Sequence, residues 1–120
     1  MIRVTIYKTS DSFKGYTVSG HAGYADSGSD IICAAVSALV INTANSIEAF
    51  TGSDISVNEN EEEGIIELIF NKAPGPEAIL LMRSMILGLE DIRSGSEEYM
   101  QISYKEDQSH VKNEYPVFRS

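Results

Sequence analysis

The chain has 120 residues, one cysteine, two histidines and a net charge of −9, with 42% hydrophobic and 22% charged residues. That length suits one domain with its own core. A single cysteine excludes both an internal disulfide framework and CxxC redox chemistry, and fits a reducing compartment.

No Lys or Arg occurs between Lys14 and Lys72. The central half of the chain therefore lacks the clustered cations that a nucleic-acid backbone requires, and its acidity favours a basic partner instead. The first residues alternate at strand period without a signal-peptide core. No apolar run approaches the ~20 residues of a bilayer span, so a cytoplasmic protein with no membrane partner is expected.

Ile2, Val4 and Ile6 alternate with Arg3, Thr5 and Tyr7, which predicts a half-buried strand. After a small polar turn, residues 13–20 predict a second strand, interrupted by Gly15 and paired with the first as a hairpin. Residues 31–50 predict a helix. Ser37 is its only polar side chain from Ile31 to Ile41. Such a helix needs cover from more than one side, by the sheet and either a second helix or a second copy of the chain. Residues 54–58 and 65–70 predict two strands joined by an acidic turn. Pro76 suits the first position of a second helix, which runs to Arg93 and stops at Gly95. Met100, Ile102 and Tyr104 alternate as a last strand.

The order ββαββαβ predicts an α+β two-layer sandwich, a mostly antiparallel sheet with two helices on one face. Residues 1–105 form the single domain, and 106–120 a tail or peripheral extension in which Tyr115, Val117 and Phe118 are candidates for docking.

The chemistry concentrates between the second strand and the first helix, where His21 and Cys33 bracket a loop containing Gly23 and Gly28. Asp30 stands where an N-cap belongs, just ahead of the apolar run. With that cap, Cys33 falls in the first helical turn, whose unpaired N–H groups favour a thiolate. His21 can fold back onto it, the pairing that nucleophilic cysteine catalysis requires. Nearby backbone N–H groups could then hold a tetrahedral oxyanion. Asp30 either caps the helix or orients His21. Ser37, one turn after Cys33, bonds within the site or to its own helix backbone.

Two rivals fit less well. The loop matches neither G-x-x-x-x-G-K-[ST] nor G-x-G-x-x-G, and Asp26 and Asp30 would repel a phosphate. His21, Asp26 and Asp30 could offer metal ligands but lack the usual spacing. No metal or other cofactor is called for.

Gly20-His21-Ala22, the glycine-containing loop, and Gly28-Ser29-Asp30-Ile31-Ile32-Cys33-Ala34-Ala35-Val36-Ser37 together resemble the signature of the ribosomal-processing cysteine proteases called Prp. Element order and length agree with that family over residues 1–105. The resemblance implies a cysteine endopeptidase that trims a short N-terminal extension from a large-subunit ribosomal protein, the twenty-seventh in standard naming, before ribosome assembly. It implies a cut after an aromatic-rich stretch, a homodimer, and a loop that orders on substrate. Position by position, Cys33 matches the nucleophile and His21 its base, with Asp30 and Ser37 in support. Ala22, Gly23, Ser27, Gly28 and Ser29 match the substrate loop. A non-catalytic module that holds the same basic ribosomal protein is the alternative, and it would have no use for a reactive thiol.

Overall fold

The computed structural model describes residues 1–20 and 27–106, except the side chains of 27–30. The expected loop residues His21, Ala22 and Gly23, and the tail from residue 107 onward, lie outside the described residues.

Seven elements follow in the order expected from sequence: β1 (Ile2–Lys8), β2 (Phe13–Ser19), α1 (Ser27–Thr51), β3 (Ile55–Asn60), β4 (Ile65–Phe70), α2 (Pro76–Ser94) and β5 (Met100–Glu106). The five strands form one sheet in the order β3-β4-β2-β1-β5. Three of its four pairings are antiparallel, and β5 lies parallel to β1, with Ile2 opposite Met100 and Ile6 opposite Tyr104. The sheet is therefore mixed. A parallel partner needs a crossover connection, and α2 supplies it.

Period-two alternation sends Ile2, Val4 and Ile6 of β1 into the core beside Tyr16 and Val18 of β2 and Leu68 and Phe70 of β4. Val36, Val40, Ala44 and Ile47 of α1 and Ala78, Met82, Met85 and Leu89 of α2 complete the same cluster. Both helices therefore cover one face. They approach closely where a Cβ on Gly88 would stand 2.7 Å from Leu39 Cδ2. Tyr16, fully buried, donates its hydroxyl hydrogen to the Val40 carbonyl at 2.7 Å, and burial raises its phenol above the ordinary range.

Residues 31–51 are long and apolar enough by composition to cross a bilayer, contrary to the reading that no such run exists. Packing explains part of the composition: Val36, Val40 and Ile47 face the core, while Ala34 and Ala38 face outward together with Ile31 and Phe50, 67% and 76% exposed.

Gly15, which as a sequence feature weakens β2, is required there. Its φ is +149°, and a Cβ would lie 2.0 Å from the Leu68 carbonyl oxygen on the neighbouring strand. The register skips Lys14, between Tyr7 opposite Gly15 and Lys8 opposite Phe13. Lys14 is thus the extra residue of a β-bulge, and it is buried. Gly15→Ala is expected to lower stability by roughly 2–3 kcal/mol, through overpacking against backbone that cannot yield. Urea denaturation checks this, and an unchanged midpoint would show that β2 and β4 separate freely.

Candidate active site

β2 delivers the chain to one end of the sheet. Gly20 follows it with φ +96°, and a Cβ there would lie 2.3 Å from the Met1 carbonyl oxygen. Only glycine lets the chain leave β2 this close to the first residue of the chain. The chain returns as α1 at Ser27.

That start corrects the expected one. Counted from Ser27, Asp30 is the fourth helical residue and Cys33 the seventh. Asp30 is therefore inside the helix and not its cap, and Ser27, Gly28 and Ser29 belong to α1 and not to a loop. The physical reason is cooperativity: once a helix exists, each added residue gains a hydrogen bond, so the apolar run carries the helix back through residues of modest propensity. The N–H groups without helical partners end at Ser29, before the turn around Cys33. The influence of the helix end fades beyond that first turn, so the unpaired donors of α1 lie about one turn before Cys33.

Cys33 carries a free thiol, half-buried where α1 passes from its core face to its outer face. Ile32 and Val36 pack on the core side, whereas Ile31, Ala34 and Ala38 are exposed. Ser37, also half-buried, lies four residues on and shares the face of Cys33. The structure thus brings Cys33 and Ser37 together on one helix face. The side chains of Ser27, Ser29 and Asp30, together with His21, Ala22 and Gly23, fall outside the described residues.

Both the sequence and the fold are matched among known proteins. The family model described as "Cysteine protease Prp" matches residues 1–101. The chain belongs to that family. The ribosomal processing cysteine protease Prp of Bacillus subtilis is 29% identical over 108 residues, covering 86% of this chain and 96% of the relative. The protein of that name from Staphylococcus aureus is 27% identical over 88 residues, covering 73% of this chain and 83% of the relative. Among solved structures, the S. aureus ribosomal processing protease Prp with a covalently linked product peptide superposes with a TM-score of 0.80 at 26% identity. It covers 88% of this chain and all of that one. The same protease with a substrate peptide gives 0.77 at 24% identity and the same coverage, a likeness of fold. Membership of this family makes the chain a cysteine peptidase.

The corrected helix start has a direct readout. If α1 begins at Ser27, the Cys33 amide lies beyond the unpaired first turn. It should exchange with deuterium more slowly than the amides of Gly28 and Ser29. Exchange of the Cys33 amide as fast as theirs would return the helix start to residue 31.

Proposed function

We infer that this peptidase removes a short N-terminal extension from a large-subunit ribosomal protein, the twenty-seventh in standard naming, in the cytoplasm and before ribosome assembly. The observation that carries the chemistry is arithmetical: the sequence has one cysteine. A cysteine peptidase built on this chain has a single candidate nucleophile, Cys33, and that residue is half-buried on α1.

His21, at the other end of the strand–helix connection, is its partner. The imidazole takes the thiol proton, and the thiolate sulfur attacks the scissile carbonyl carbon. The C–N bond then breaks as the imidazolium returns that proton to the leaving amine. Water, deprotonated by the same imidazole, hydrolyses the thioester and restores the thiol. The first-turn N–H groups of α1 are the nearest fixed donors for the developing oxyanion. Asp30 and Ser37 support the pair, and Ala22, Gly23, Ser27, Gly28 and Ser29 border the bound peptide.

Charge supports the substrate class. A net charge of −9, with no cation between Lys14 and Lys72, attracts the basic segment of a ribosomal protein and repels the RNA to which it is bound for assembly. The exposed Ile31, Ala34 and Ala38 of α1 support a homodimer in which a second copy covers that face.

Cys33→Ala should abolish cleavage while leaving the thermal midpoint nearly unchanged, because it removes one sulfur from a half-buried residue. Intact-mass analysis of the ribosomal protein after incubation is the measurement, and cleavage by the folded variant would overturn the assignment. His21→Ala should abolish cleavage too and slow the alkylation of Cys33 by iodoacetamide at neutral pH. Alkylation at the unaltered rate would leave Cys33 without its activating partner. Light scattering should give twice the 13.1 kDa chain mass, and a clean monomer at micromolar concentration would remove the dimer.

A further inference from the structure

At the end of the sheet away from Cys33, the β1–β2 turn, the outer face of α2 and the last residues of β5 enclose an open groove of about 770 Å³. Its lining is mixed: Phe13 and Ile79 are its more buried apolar members, Leu80 and Leu87 are 62% and 66% exposed, and Asp11, Arg83 and Glu90 stand among them. Two leucines seven residues apart on one helix face make a continuous strip. Exposed apolar surface of this kind marks a contact site.

One wall is braced by a polar network. Tyr104 donates to Glu90 at 2.5 Å, and Arg93 reaches the other carboxylate oxygen at 3.0 Å. Burial and the Glu90 contact together push the Tyr104 phenol up to about 12. The bond from Tyr104, aided by Arg93, holds Glu90 below the ordinary carboxylate range against some desolvation. The Lys8 ammonium stands 5.9 Å from the centre of the Tyr104 ring. The strand end is therefore fixed to α2, and the groove is pre-formed.

We propose that this groove is the docking site for the chain's own residues 107–120, with Tyr115-Pro116-Val117-Phe118 seated against Leu80 and Leu87. The chain arrives at the right place: Tyr104 lines the groove, and the final described residue, Glu106, pairs in register with Lys8, which lines it too. The eight residues 107–114 reach up to roughly 26 Å when extended, whereas the helix from Ile79 to Leu87 is only about 12 Å long. The apolar run can therefore be placed anywhere along the strip.

Charge agrees with the same occupant. The run is flanked by Glu114 on one side and Arg119 on the other, and the groove carries the exposed Arg83 and Asp11. Each flank has an opposite charge to meet. A tether this short also gives the segment an effective concentration on the order of millimolar, ahead of any free competitor. The groove's other candidate occupant is a second copy of the chain, and the experiment separates the two.

The test uses the full chain with Phe118→p-benzoylphenylalanine, prepared in ¹⁵N-labelled and unlabelled forms, mixed and irradiated. The expected product has the mass of one chain, with the cross-link mapped to residues 79–87 or to Phe13. Leu87→Glu, a change at an exposed position, should remove that product without unfolding the protein. A cross-link joining labelled to unlabelled chains would make a second copy the occupant and overturn the proposal. A cross-link mapping elsewhere, none at all, or one that survives Leu80→Glu with Leu87→Glu would overturn it as well.

Discussion

The position of the thiol depends on how α1 is held to the sheet. Val36, Val40, Ala44 and Ile47 recur at helical spacing and press into the cluster formed by β1, β2 and β4. Apolar burial is not directional, so such a seam alone would tolerate sliding or rotation. The Tyr16–Val40 hydrogen bond supplies the direction. A phenol with no exposed surface must find an acceptor, and the one it uses is a helix carbonyl about two turns from Cys33. At 1.5 Å per residue, that anchor stands about 10 Å along the axis from Cys33. Rotating α1 to move the sulfur would strand a buried hydroxyl.

The connectivity then assigns different work to the two ends of the sheet. β2 runs from Phe13, beside the groove, to Ser19, beside the entry to α1. At about 3.3 Å per residue, those ends are about 20 Å apart. The strand is constrained along its length by Gly15 against β4 and, just past its end, by Gly20 against Met1. A bulky side chain at either glycine would push backbone against backbone. The sequence from the hairpin turn to Gly20 is thus a rigid lead-in toward α1.

Much of this was readable beforehand where pattern and burial coincide. Strict alternation in β1 and the apolar run at Ile65–Phe70 correspond to strands within a residue of their expected ends, and Pro76 with Gly95 brackets α2. The pairing of β5 with β1 was not readable, because Met100, Ile102 and Tyr104 alternate identically in either direction. Nor was the start of α1: Ser27, Gly28 and Ser29 have loop-like propensities that the following helix overrides. The all-round apolarity of α1 is met by packing only in part, since Ile31 and Phe50 stay exposed. Alanine counts as apolar in a sequence pattern yet sits comfortably at the surface, as Ala34 and Ala38 do. Of the site residues, Cys33 and Ser37 were found on one helix face as their spacing required. His21 lies outside the described residues, and its role rests on chemistry.

The earlier helix start changes how the thiol must be activated. In the first turn, unpaired N–H groups would stabilise a thiolate permanently, with or without substrate. In the second turn those groups are engaged by the helix, and the dipole has largely faded. A thiol in that position needs a side-chain base to activate it, the role proposed above for His21. With the proposed roles, reactivity would come less from the helix end than from His21. Within a cell full of exposed peptide chains, that arrangement favours reaction with a segment that engages the connection over one that merely touches the thiol. On the proposed roles, specificity and reactivity would share one stretch of chain, between Gly20 and α1.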